Sequence, residues 1–125
     1  MCGIVGYVGG RRALPILLDG LHRLEYRGYD SAGLATLDAD DLRLYRQVGR
    51  VQQLADTVPE DLEGLAGIAH TRWATHGKVT RENAHPHLDN TQRIAVVHNG
   101  IIVNVAVLKE RLEKEGVVFR SETDT

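Results

Sequence analysis

The stretch Met1-Cys2-Gly3-Ile4-Val5-Gly6-Tyr7-Val8-Gly9-Gly10 puts the only cysteine of the chain at the head of a short apolar run. Gly3 to Val8 has the length and β-branched content of a buried strand, and Gly9-Gly10 closes it as a turn. Chemistry at Cys2 is therefore delivered from a strand end. From Ala13 to about Glu25 the period changes. Leu14, Leu17, Leu18, Leu21 and Leu24 follow the i, i+3, i+4, i+7 spacing of one helix face, with Pro15 near the start, where a proline is tolerated. Gly28 ends that helix, Ala32 to Leu37 reads as a strand, and Asp38-Ala39-Asp40-Asp41 makes a hairpin turn into Leu42 to Val48.

Beyond the hairpin, Val51 to Thr57 predicts a short helix, and Ala66 to Thr71 and Arg93 to His98 read as strands. The 21 residues between those strands, Arg72 to Gln92, show neither apolar period. A connection of that length inside a compact domain is usually functional. Asn104 is placed to cap a helix running to about Glu115, with Val105, Leu108 and Leu112 on one face and Glu110 four residues before Lys114. Gly116 stops it, and Val117-Val118-Phe119 begins another strand that no later element covers. The order of elements predicts an α+β fold, strands gathered into sheets under two main helices, and an incomplete domain.

Composition narrows the function. With 125 residues, of which 42% are hydrophobic, the chain has one domain's worth of core. Fifteen basic residues against 17 acidic ones give no positive excess for nucleic-acid phosphates or anionic lipid, so neither nucleic acid nor membrane is an expected partner. No apolar run approaches the roughly 18 residues of a spanning helix, and the N-terminus lacks a signal-peptide layout. One cysteine forms no internal disulfide, which points to the cytoplasm. There is no internal repeat or low-complexity linker.

Cys2 becomes the first residue if Met1 is removed, and a thiol beside a free α-amine is a complete nucleophile and base. An unperturbed α-amine pKa of about 7.7 to 8.0 lets it accept a proton near neutrality. The alternative is a cysteine that merely packs at a strand start. Acyl transfer also needs donors aimed at an oxyanion, and Asn99-Gly100 offers a side-chain amide and a backbone N–H, although the same dipeptide is a common turn. Arg72 and Asp124 suit the carboxylate and ammonium of an amino acid, or else a surface ion pair. Six histidines invite a metal, but there is no second cysteine, no His-Glu-x-x-His helix and no repeating carboxylate frame, so no metal is expected. Gly77-Lys78 lacks the glycine five positions earlier that a phosphate loop needs, Arg72 standing there, and Gly3, Gly6 and Gly9 miss the dinucleotide spacing.

Six motifs together carry a resemblance that none carries alone. Met-Cys-Gly-Ile-Val-Gly at 1–6, Glu-Tyr-Arg-Gly-Tyr-Asp-Ser-Ala-Gly at 25–33 and His-Thr-Arg-Trp-Ala-Thr-His-Gly at 70–77 are three of them. Asn-Ala-His-Pro-His at 83–87, Val-His-Asn-Gly-Ile-Ile at 97–102 and Ser-Glu-Thr-Asp-Thr at 121–125 complete the set. From end to end the chain resembles the glutaminase domain of the glutamine:fructose-6-phosphate amidotransferases, class II amidotransferases of the N-terminal-nucleophile type. The resemblance implies an αββα sandwich of which residues 1–125 are the N-terminal part, the sugar-isomerising domains lying outside them.

It also implies an activity: hydrolysis of L-glutamine through a glutamyl thioester, releasing ammonia for the conversion of fructose 6-phosphate to glucosamine 6-phosphate, with no cofactor. On that resemblance Cys2 is the nucleophile with its own amine as base, and Asn99 with Gly100 forms the oxyanion hole. Arg72 and Asp124 hold the substrate's α-carboxylate and α-amine. Trp73, Thr75 and His76 belong to a loop closing over glutamine, and Arg27 to the wall beside the nucleophile. Fructose 6-phosphate would be met only through the further domains, and the full-length family member is expected to be a homodimer. Val103 and Val105 depart from the family, which usually shows a glutamate and an aromatic or histidine there, so a polar partner of Asn99 is expected to be missing. Two alternatives stay open: a glutamine-binding piece without turnover, and the glutaminase domain of another class II enzyme such as an amidophosphoribosyltransferase.

Overall fold

The computed structural model describes all residues from Met1 to Thr125. An antiparallel sheet is built from β1 (Gly3–Val8), β2 (Ser31–Asp38), β3 (Asp41–Val48) and β4 (Ala66–Arg72), in the spatial order β1-β4-β2-β3. β4 enters between two earlier elements, pairing with β1 on one side and β2 on the other. Thr71 stands opposite both Gly3 and Ala32. One residue further along, Cys2 is thereby brought beside Arg72 at the end of β4.

Strand side chains alternate between two faces, and the two faces of this sheet differ. One is covered by α1 (Ala13–Leu24) and the short α2 (Val51–Ala55), whose Leu14, Leu17, Leu21, Val51 and Leu54 join Ala32, Leu34 and Ala69 in a single apolar core. Fully burying a leucine contributes about 1.5–3 kcal/mol, so this face supplies most of the fold's driving force. A turn of 3₁₀ helix, Glu25–Arg27, extends α1, and Gly28 closes it by donating its N–H to the Glu25 carbonyl. The opposite face carries Gly33, His70 and Arg72 and is covered by residues 83–86. A Cβ on Gly33 would lie 2.0 Å from the His85 carbonyl oxygen, so only glycine allows that segment to seat.

After Arg72 regular structure is sparse. β5 (His87–Leu88) and β6 (Ala95–Val96) form a two-stranded ladder, and α3 (Val105–Lys114) buries none of its residues. The α+β class and the six elements β1, α1, β2, β3, α2 and β4 agree with expectation to within a few residues, the 3₁₀ turn being an addition; three details differ. The strand expected over Arg93–His98 shrinks to two residues because the Asp89 carboxylate takes the N–H groups of Thr91, Arg93 and Ile94 at 2.9–3.1 Å, pulling them out of any ladder. No strand forms at Val117–Phe119, where the Asn90 amide exchanges two hydrogen bonds with the Val118 backbone, each 2.8 Å. Asn104 precedes α3, but its side chain makes no capping bond. No helix is long and apolar enough to cross a membrane.

Candidate active site

The nucleophile candidate is fixed by sheet register. Cys2 Sγ accepts the Trp73 N–H at 3.2 Å and lies 3.5 Å from the Trp73 carbonyl oxygen, to which its S–H donates. The Met1 ammonium donates to the Arg27 carbonyl at 2.6 Å, and the Arg27 guanidinium lies 3.8 Å from the Met1 sulfur, so Arg27 meets the chain terminus through both its backbone and its side chain. Gly28, at φ +120°, lets the wall approach closely: a Cβ there would come within 3.0 Å of the Trp73 ring.

Arg72 is buried, its side chain 4% exposed, and its charge is matched rather than stranded. Asp30 stands 3.9 Å away, and the guanidinium donates to the carbonyls of Lys78 (2.9 Å) and His76. Asp30 itself takes the Ala74 N–H and the Ser31 hydroxyl. From the far side Asn83 donates to the Lys78 carbonyl and the Glu122 carboxylate and accepts the Glu122 N–H. Glu122 also takes the Lys78 N–H, and that bond, ahead of Asn83, holds its carboxyl below the usual glutamate range. The loop 73–80 is thus pinned at its backbone while the side chains of Trp73, Thr75 and His76 remain exposed.

Asn99 and Gly100 follow β6. The Asn99 Oδ1 lies 2.6 Å from His70 Nε2, and His98 gives its N–H to His85 Nδ1 at 3.3 Å. The rings of His70 and His85 stack at 4.2 Å, with His87 edge-on to His85 at 4.5 Å. Burial pushes the His70 and His87 imidazoles down to about 4 and His85 to about 2, so all three are neutral near pH 7. Asp124 accepts the Ile102 N–H through Oδ2 at 2.7 Å. Val103 points to solvent, 96% exposed, and Asn99 takes its partner from β4 instead.

These groups share one cleft of about 320 Å³. Cys2, Arg27, Arg72, Trp73, Thr75, His76, Asn99, Gly100 and Asp124 all line it, coming from five separate segments. A larger cleft of about 480 Å³, walled by Leu88, Leu112, Val118 and Phe119, contains none of them. Sequence reasoning missed His70, His85 and His98, which also line the first cleft, and Asp30 behind it. Strand alternation was the available signal for His70, which sits two residues before Arg72 and so shares its face. Chemically the cleft offers a thiol, an exposed amide, an unspent carboxylate oxygen and a guanidinium, a set suited to holding and cleaving an amino-acid side-chain amide.

The profile of the glutamine amidotransferase domain family matches residues 55–125, more than half of the chain. The glutamine–fructose-6-phosphate aminotransferase (isomerizing) of Bacteroides thetaiotaomicron is 57% identical over the whole chain, and that of Aquifex aeolicus 59%. The chain spans 21% of the length of each. Among solved structures, glutamine phosphoribosylpyrophosphate amidotransferase from B. subtilis, complexed with ADP and GMP, matches the whole chain and 27% of its own, with a TM-score of 0.84 at 31% identity. The α+β fold described above is that of the N-terminal-nucleophile amidotransferases.

Proposed function

This chain belongs to the glutamine amidotransferase domain family, and we propose that residues 1–125 are the N-terminal part of a glutaminase domain that hydrolyses L-glutamine to supply ammonia for making glucosamine 6-phosphate from fructose 6-phosphate. Once Met1 is removed, the α-amine of Cys2 takes the thiol proton, and the thiolate attacks the side-chain amide carbon of glutamine. The Asn99 side-chain N–H and the Gly100 backbone N–H receive the oxyanion, ammonia leaves with the transferred proton, and water hydrolyses the thioester to glutamate. Arg72 takes the α-carboxylate and the free Oδ1 of Asp124 the α-ammonium. Trp73, Thr75 and His76 close over the substrate, and Arg27 walls the nucleophile.

What supports this reading is the meeting of Cys2, Arg72, Asn99, Gly100 and Asp124 in one cleft, from segments far apart in the chain. Identity of 57–59% to the fructose-6-phosphate enzymes, against 31% to the phosphoribosyl enzyme, favours the amino-sugar branch. Fructose 6-phosphate is then met by domains outside these residues, within a homodimer. The lone thiol suits a reducing, cytoplasmic setting. Intact mass before and after incubation with a diazo-ketone analogue of glutamine tests the reading. Loss of Met1 and one adduct on Cys2 are expected, and both the adduct and turnover vanish in Cys2→Ala. A wild-type protein that loses Met1 yet takes no adduct overturns it.

A further inference from the structure

The oxyanion role of Asn99 depends on which end of its amide faces the cleft. An amide has a donor end and an acceptor end of nearly the same shape, and only the Nδ2 end can stabilise negative charge. Nothing in the Asn99-Gly100 turn itself makes that choice. The one polar contact of the side chain does: Oδ1 lies 2.6 Å from His70 Nε2.

Which atom donates across that contact follows from the rest of the imidazole. His70 is 1% exposed, and its Nδ1 is buried with no hydrogen-bond partner. A proton on Nδ1 would leave a buried donor with no acceptor, the rarer and costlier kind of orphan. A bare lone pair there is the cheaper state, so the proton belongs on Nε2. Nε2–H then donates, Asn99 Oδ1 accepts, and Nδ2 is the end left for the cleft. The neighbouring ring repeats the pattern, because His85 Nδ1 accepts the His98 N–H at 3.3 Å and so cannot carry a proton while that bond exists. The two rings stack at 4.2 Å with 16° between their planes, and burial keeps both uncharged near neutral pH. Together they grip consecutive residues, His98 by its backbone and Asn99 by its side chain.

We propose that His70 is a positioning residue for the oxyanion hole, its Nε2–H holding Asn99 Oδ1 so that Asn99 Nδ2 faces the reacting carbonyl of glutamine. His70 does not meet the substrate in this role and exchanges no proton. It removes the half of the amide orientations in which the carbonyl oxygen would repel the developing oxyanion. The inference rests on the glutaminase reading for its consequence, but the orientation itself is a property of the free protein.

Two measurements on the full chain test it. Nitrogen-15 NMR of histidine-labelled wild-type protein reads the ring directly. A neutral His70 with Nε2 protonated and Nδ1 bare is expected between about pH 6 and 8, and an Nδ1–H tautomer overturns the proposal whether or not the protein turns over glutamine. The second compares His70→Phe, which keeps a flat buried ring without a donor, with His70→Gln, which keeps a donor. In His70→Phe kcat for glutamine hydrolysis falls roughly 10- to 100-fold with KM within about twofold, and His70→Gln recovers most of the loss. Equal losses in the two variants, or a loss carried by KM, reduce His70 to packing and overturn the proposal. A wild-type protein inactive toward glutamine defeats the proposed function instead, leaving the ring tautomer to decide this inference.

Discussion

Residues 3–72 and residues 73–125 are held together in different ways. The first stretch is a continuous antiparallel ladder with a leucine-rich helix on one face, and nearly all of the apolar core lies in it. The second has one two-residue ladder and a helix with no fully buried residue, and its path is set by side chains bonded to backbone: Arg72 to His76 and Lys78, Asn83 to Lys78 and Glu122, Asn90 to Val118, Asp124 to Ile102. The candidate site straddles the two. Cys2 and Arg72 stand at one end of the ladder, Cys2 just before its first residue, whereas Asn99, Gly100 and Asp124 stand on the stitched half. Each stitch contributes only about 0.5–1.5 kcal/mol net, so the geometry of the Asn99 side of the cleft rests on several modest bonds rather than on one core.

The sharpest way to break this contrast is to damage one half at a time. Leu17 is fully buried between α1 and β4, and Leu17→Ala is expected to cost about 2–5 kcal/mol, read as a fall in the urea midpoint by circular dichroism. A cost below about 1 kcal/mol would mean that the core is not where the first half gets its strength. Asn83→Ala comes next, at about 1–3 kcal/mol, because it removes three hydrogen bonds from a residue that is 2% exposed. Its signature is local: proteolysis within 73–80 speeds up while the main unfolding transition keeps its slope. Unchanged cleavage would show that the loop is held by something other than the Asn83 stitch.

The same contrast explains what could be read in advance. β1, α1, β2 and β3 were legible because Leu14, Leu17 and Leu21 keep one period and the strands another, and burial rewards those periods. Cys2, Asn99, Gly100, Arg72 and Asp124 were legible as chemistry, through the motifs around them and not through any period. The path after Arg72 was not legible, since Asp89 and Asn90 act on backbone groups up to 28 residues away and no periodicity announces such a bond. His70 was visible as one of six histidines and as the head of the motif at 70–77, but its role was not; its meaning depends on the register that places it two residues before Arg72 on the same face and on Asn99 arriving from 29 residues downstream.

Acid sharpens the difference further. His70, His85 and His87 are held below the ordinary imidazole range by burial, so between about pH 6.5 and 4 the unfolded chain binds protons that the folded chain does not. Their contribution is therefore complete above about pH 6.5 and is lost as pH falls toward 4 for His70 and His87 and toward 2 for His85, by on the order of 1–2 kcal/mol at pH 5 for buried His70 alone. The carboxyl of Glu122, held low by the Lys78 N–H, adds its loss only at more acidic pH. Urea midpoints at about pH 7.5 and pH 5 measure the window, with cleavage at 73–80 followed in parallel. A midpoint that does not fall across it would mean that these rings are solvated, and the histidine-lined face open, in solution.

The smallest effect belongs to α3. Val107 is 69% exposed, and no residue of that helix is fully buried. Exchanging an exposed apolar side chain for a good helix former removes no packing, and lysine ranks above valine in helix propensity. Val107→Lys should therefore move the urea midpoint by no more than the equivalent of about 0.5 kcal/mol, and in the stabilising direction if at all. A loss of more than about 1 kcal/mol cannot come from propensity or from contacts within this chain. It would require the Val107 face of α3 to be covered in solution, and dilution would then lower the wild-type midpoint if a second copy does the covering. Absence of any such loss leaves α3 as a helix standing on its own hydrogen bonds and its Lys114–Glu110 and Arg111–Glu115 pairs, the far end of the scale from Leu17.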